Sequence, residues 1–187
     1  MKKILLAVVA IAAVAGLSLI SFYNSLVGQR EAVDNQWAQV ETQYQRRFDL
    51  IPNLVNSVKG IMAQEQTVFG QIAEARTRYS GAVSPEERVA AAGQVESALA
   101  RLLVVIENYP ELRSSENVTQ LMDELAGTEN RVAVERRRYN DLVREFNVKI
   151  KKFPANLVAG VFGFTPRAFF ESAEAAAAAP PVVDLSL

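Results

Sequence analysis

The chain has no cysteine and no histidine. Without Cys there is no disulfide, no thiol nucleophile and no lipid anchor on an N-terminal Cys. Without His there is no Ser-His-Asp triad, no imidazole base and no Cys/His zinc set. Lack of Cys leaves the compartment open, because exported and cytosolic proteins both do without it. Glycine is scarce, at 9 of 187 residues, and Val-rich alternating runs are missing, so the composition leans all-α. An excess of one charge is missing too. Lys and Arg total 20 against 21 Asp and Glu, interspersed, for a net charge of −1. That balance leaves no electrostatic footprint for nucleic acid. What is plentiful is apolar surface: 50% of the residues are hydrophobic, too many for a disordered chain. The length suits one ordinary domain plus an appendage.

The appendage is at the N-terminus. After Lys2 and Lys3, residues 4–22 carry no charge. At ~1.5 Å per residue this run makes roughly 28 Å of helix, close to the ~30 Å of a bilayer's hydrocarbon. Tyr23 follows, where an amphipathic ring suits the interface. A cleaved signal peptide is the rival reading, since "AVA" at 13–15 follows a basic start and an apolar stretch. The run continues through "GLSLISF", longer than such a peptide needs, which favours an uncleaved anchor. In either case the two lysines hold the N-terminus in the cytoplasm. The next base, Arg30, is offset by Glu31, so the positive-inside rule places the body outside, at a bacterial inner membrane.

From Val33 the apolar positions Val33, Trp37, Val40, Tyr44, Phe48, Ile51, Val55, Val58, Met62, Phe69 and Ile72 recur every three or four residues, as on an amphipathic helix. Glu65 is a charged gap on this stripe, and Gly60 and Gly70 weaken the helix without ending it. In "SPEE", Ser84 is an N-cap, Pro85 takes the first helical position and Glu87 completes a capping box. A second stripe runs from Val89 to Ile106 and must stop by about Asn108, ahead of Pro110. A third opens at Ser114 or Ser115 and includes Val118, Leu125, Val132, Tyr139, Phe146, Ile150 and Phe153. Arg131 can pair with Glu135, and Arg137 with Asp141, at a spacing of four. An apolar, glycine-punctuated stretch, "ANLVAGVFGFTPRAFFE", follows. After it comes an Ala/Pro-rich tail at 172–187, expected to be mobile.

No stretch reads as a strand. The expected fold is all-α: an N-terminal transmembrane helix followed by an antiparallel up-and-down bundle of four helical segments. Pro52 interrupts the first stripe, and a hairpin or a kink there both remain open. An unbroken first helix to residue 79 would be roughly 85 Å long at ~1.5 Å per residue, leaving its lower half without a partner in the chain. A turn at Pro52 lets the segments cover one another, and the third helix then ends near the membrane; that reading is preferred.

The stretches "YNSLVGQREAVDNQWAQVETQYQRRFDLIPNLVNSVKG" (23–60), "ENYPELRSSENVTQLMDELAGTENRVAVERRRYNDLV" (107–143) and "FNVKIKKFPANLVAGVFGFTPRAFFE" (146–171) resemble the LemA family of bacterial membrane proteins. The resemblance runs from the anchor to about Glu171 and leaves out the tail. It implies a single N-terminal span, a helical bundle and no established enzymatic role. It brings no catalytic residue. One relative in magnetotactic bacteria is tied to building magnetosome membranes, and other members are encoded beside membrane proteases or small membrane-associated domains. The resulting layout is an anchor at 1–22, a bundle at 23–171 and a tail at 172–187.

Two groups are candidate interaction sites. Arg46, Arg47, Asp49, Pro52 and Asn53 form either a docking knob or, more plainly, a helix start at Pro52 capped by Asp49 with solvated arginines. Phe162, Phe164, Phe169 and Phe170 are either a plug on the bundle or an interfacial surface. Aromatic–Asn neighbours (Tyr23-Asn24, Asn108-Tyr109, Tyr139-Asn140, Phe146-Asn147) could form a polar network. Asp123, Glu124 and Glu129 do not converge on a metal, and no cofactor is expected. The expected function is a non-enzymatic membrane scaffold or adaptor holding envelope proteins, a membrane protease or a small membrane-associated domain among them, or further copies of itself. The alternative is a membrane-shaping or lipid-binding protein acting through residues 155–170.

Overall fold

The computed structural model describes residues 1–62 and 65–170, apart from the side chains of Ala15 and Glu86. The tail expected at 172–187 lies outside the described residues. Among the described residues there are six helices and no strand: α1 (Lys2–Val58), α2 (Gln66–Gly81), α3 (Pro85–Glu107), α4 (Pro110–Arg113), α5 (Glu116–Lys149) and α6 (Ala155–Phe162).

α1 runs straight through Pro52, so the preferred turn there is incorrect. Proline removes one backbone donor and crowds the carbonyl four residues earlier, at a cost of about 3 kcal/mol in a helix interior. Burial offsets this cost. Phe48, Ile51, Leu54 and Val58 surround the proline and are all buried, each worth about 1.5–3 kcal/mol when removed from water. The break comes instead at Gly60, which ends the helix and does more than weaken it. The amides of Ile61 and Met62 both donate to the Val58 carbonyl, at 3.1 and 3.0 Å, and close the turn. Glu65, the charged gap on the stripe, stands at the N-cap of α2. Because Pro52 is tolerated and not required, Pro52→Ala is expected to raise stability by about 1–2 kcal/mol. A urea or thermal melt followed by circular dichroism measures this.

The start of α3 is as the spacing predicts. Ser84 Oγ accepts from the Glu87 amide at 3.1 Å, and Glu87 Oε2 accepts from the Val83 and Ser84 amides at 2.9 and 3.2 Å. The Val83 amide, then the Ser84 amide, hold the Glu87 carboxyl below its ordinary value; desolvation opposes them, and the Ser84 hydroxyl adds least. A carboxyl depressed in the folded state stabilises above its unfolded pKa and loses that contribution as pH falls through the folded one. The stability gap between wild type and Glu87→Ala is therefore expected to be widest near neutrality and to close in acid, as read from melting temperatures at stepped pH. α3 stops with Asn108 as its C-cap, ahead of Pro110. The ion pairs on α5 differ from the expected ones: Glu135 pairs with Arg138, and Asp141 with Arg144.

The chain divides into two compact units. The first comprises Met1–Glu41 and Val134–Phe169. Its core is Leu26, Val33 and Val40 from α1 with Tyr139, Val143 and Phe146 from α5, Ile150 just past the end of α5, and Val158 from α6. Gln36 Nε2 donates to Glu135 Oε2 at 2.7 Å, and Lys149 Nζ donates to Ser25 Oγ. Residue numbers thus rise on one segment as they fall on the other. The end of α5 lies beside residue 25, just past the apolar run.

The second unit comprises Thr42–Ala133 with Phe170. Here α2 and α3 pack together, with Arg78 donating to Gln94 Oε1 (3.1 Å) and Arg101 to Gln71 Oε1 (2.9 Å). Val95, Leu99, Leu102 and Ile106 of α3 and Leu125 of α5 are buried in this unit.

Two rows organise the long helices. In α1, Leu26, Val33, Val40, Arg47 and Leu54 stand seven apart and all are buried. In α5, so do Val118, Leu125, Val132, Tyr139 and Phe146. Seven is the coiled-coil period.

Candidate functional site

Arg47 is the one polar member of the α1 row and only 5% exposed. Its Nη1 donates to the Leu125 carbonyl at 3.0 Å and its Nη2 to Glu129 Oε2 at 3.4 Å. Thr128, also buried, donates its hydroxyl to the same carbonyl at 2.8 Å. Arg47 Nε is buried and finds no partner among the described residues. The arginine therefore ties α1 to α5 within the second unit and is not the solvated side chain expected. Polar residues in a coiled-coil row set register at a cost in stability, and that is what this geometry offers. The signal was present in the sequence: residue 47 is seven from Val40 and seven from Leu54.

The rest of the "RRFDLIPN" group faces outward. Asp49 caps nothing, because no helix starts at Pro52; it accepts from Gln45 Nε2 at 2.8 Å on the exposed side of α1. Asn53 is exposed and Pro52 half-buried. Arg46 and Leu50 form one wall of a groove of about 690 Å³, and α5 supplies the other wall with Thr119, Asp123, Glu124 and Arg131. Arg46 and Arg131 set two cations against three acids, Glu116, Asp123 and Glu124, so the groove matches a mixed polar surface better than a single anion. Among the described residues no three acids come together as a metal site would require.

The four phenylalanines do not act as one group. In the second unit Phe170 is buried and stacks on Tyr44, with centroids 6.2 Å apart. In the first unit Phe164 is half-buried against Tyr23 (5.9 Å) and Phe146 (6.5 Å). Phe162 lies 4.7 Å from Tyr23 yet is 58% exposed, and Phe169 is exposed as well. Gly163, at φ 70, ends α6 and lets the chain turn back; the Phe164 amide donates to the Ala159 carbonyl at 3.0 Å. A left-handed residue of this kind favours glycine.

Two members of the aromatic–Asn pairs hold the segment beyond α6. Asn147 Nδ2 donates to the Arg167 carbonyl, and Asn147 Oδ1 accepts from the Arg167 amide, both at 2.8 Å. Tyr139 donates to the Ala168 carbonyl at 3.2 Å. Arg167 Nη2 donates to both carboxylate oxygens of Asp34, at 2.8 and 2.9 Å. These contacts fasten residues 167–168 onto α1 and α5, a role that neighbouring positions in sequence do not reveal.

The LemA family model matches residues 36–185. The chain belongs to the LemA family. The match leaves out residues 23–35 of the first resembling stretch and extends through most of the tail at 172–187. Among relatives of this LemA-family chain, the magnetosome proteins MamQ 1 and MamQ 2 of Paramagnetospirillum magneticum are each 27% identical over 180 residues, which covers 82% of this chain and 66% of theirs. The match thus spans just under two thirds of those relatives. Protein LemA of Metamycoplasma hominis is 25% identical over 152 residues, 81% of this chain and 69% of that one.

Proposed function

We propose that this LemA-family chain is a single-pass membrane protein whose body holds protein partners at the bacterial envelope and catalyses no reaction. The observation that carries this reading is α1. Its first part exposes its apolar side chains from Ile4 to Val14 and again at Leu17, Leu19 and Ile20, and the same unbroken helix continues into the buried row that starts at Leu26. An exposed apolar run of that length needs hydrocarbon around it. In this reading residues 1–22 are the anchor, 23–171 an antiparallel up-and-down bundle and 172–187 a tail. Lys2 and Lys3 keep the N-terminus in the cytoplasm, with the bundle on the far side of the inner membrane.

Support for a holding role comes from the residues left outside the core. Arg46, Asp49 and Asn53 present one polar face beside the groove, on a helix whose opposite face is buried. The chain has no His or Cys, and neither MamQ nor LemA is named for a reaction. The partner would be another envelope protein or a second copy. A photo-crosslinking amino acid at Arg46 or Asn53 in the full chain, in intact membranes, is expected to yield adducts to a protein of the envelope or to the chain itself. Recovery of uncrosslinked monomer alone from both positions would sink the reading.

A further inference from the structure

We propose that α6 and the turn before it form a lipid-binding element, seated at the boundary between headgroups and acyl chains beside the membrane span. This rests on residues 4–22 being that span. The position follows from contacts within the first unit. Leu19, Ile20 and Tyr23 of α1 face Leu157, Val161 and Phe162 of α6 across an apolar cleft of about 350 Å³, and the Tyr23 and Phe162 rings are 4.7 Å apart. α6 therefore stands against the last turn of the apolar run and shares its depth in the bilayer.

Three features identify the occupant as lipid. The exposed side chains of α6 are apolar apart from Asn156: Val161 is 80% exposed and Leu157 more than half exposed, and Phe153, in the turn before α6, is 80% exposed as well. One wall of the cleft is the anchor itself, so the apolar surface of α6 is continuous with surface that already faces hydrocarbon. Lys151 and Lys152 are exposed in the turn that leads into α6, where ammonium groups reach lipid phosphates. A short apolar face edged by lysines is the pattern of a helix lying in the interface, buried about 5–10 Å. These lysines do not disturb the orientation argument, which counts bases within about 15–20 residues of the span.

Because the chain has no Cys, one introduced thiol gives a unique labelling site. The full chain is labelled with an environment-sensitive fluorophore at Val161→Cys, Val9→Cys or Val83→Cys and reconstituted into vesicles of phosphatidylcholine and phosphatidylglycerol. Val9 reports the span, and Val83, an exposed residue between α2 and α3, reports water. The Val161 label is expected to be quenched by lipids brominated near the headgroup and to be about five-fold less accessible to aqueous iodide than the Val83 label. The paired substitution Lys151→Glu/Lys152→Glu is expected to weaken that shielding in anionic vesicles and to leave it unchanged in neutral ones. If the Val9 label is in lipid while the Val161 label is as open to iodide as that at Val83, the lipid role of α6 is wrong and the anchor stands. If the Val161 label is shielded but brominated lipid does not quench it, protein covers the face and the proposal fails. If the Val9 label is not in lipid, the anchor fails and this inference with it. Circular dichroism of each variant confirms that the body is folded.

Discussion

Replacing Ile11 and Val14 together by arginine is expected to move the full chain from the membrane pellet to the soluble fraction. At about 0.3–0.6 kcal/mol for each Leu, Ile, Val or Phe, residues 4–22 contribute roughly 3–7 kcal/mol to insertion. Each arginine near the centre of the span costs about 2.5–3.5 kcal/mol, so the pair cancels the whole gain. One arginine alone should leave the chain divided between the fractions. Both side chains are exposed in the folded chain, so the substitutions disturb no packing and the effect belongs to the membrane. Alkaline extraction followed by quantitative blotting measures it. A doubly substituted chain that stays in the carbonate-resistant pellet would show that something other than this run provides the anchor.

The second large effect is expected at Phe146. It is 1% exposed, ends the α5 row and packs its ring against Phe164. Phe146→Ala should cost about 3–5 kcal/mol, from lost transfer energy and the cavity left behind. For a chain of this size that is a drop of roughly 6–20 °C in the melting temperature. Phe153 stands seven residues further on in the same register, but α5 ends at Lys149 and Phe153 is left outside. Phe153→Ala is expected to change stability by no more than about 0.5 kcal/mol. Equal effects at the two positions, measured in detergent by thermal melting, would contradict this account of the core.

The contrast between Phe146 and Phe153 shows what the sequence can and cannot reveal. Apolar spacing finds buried faces wherever a helix persists, so the α3 and α5 stripes, the Ser84–Glu87 box and the stop before Pro110 were all legible. Spacing does not register where a helix ends. Val58, Met62 and Ile72 are all buried and keep phase across the break at Gly60, so the pattern reads as continuous. Pro52 misled in the opposite direction: a local penalty of about 3 kcal/mol is smaller than the burial of the four apolar residues around it. Arg47 was assigned to solvent because a guanidinium usually is, although its position in the row placed it inside. Helix α6 has no apolar period to read, since it is apolar on nearly every side over eight residues. The Asn147–Arg167 clamp joins positions twenty apart, beyond any local pattern.

The two heptad rows also limit how chains of this kind can change length. Within the second unit, deleting one residue between Arg47 and Leu54 would swing everything after it on α1 by about 100° around the helix axis. Leu54 would then leave the row, and the smaller Val55 would take its place. Removing seven residues keeps the angle but leaves the row on α5 one layer too long. Tolerated insertions and deletions should therefore come in blocks of seven, matched on both helices.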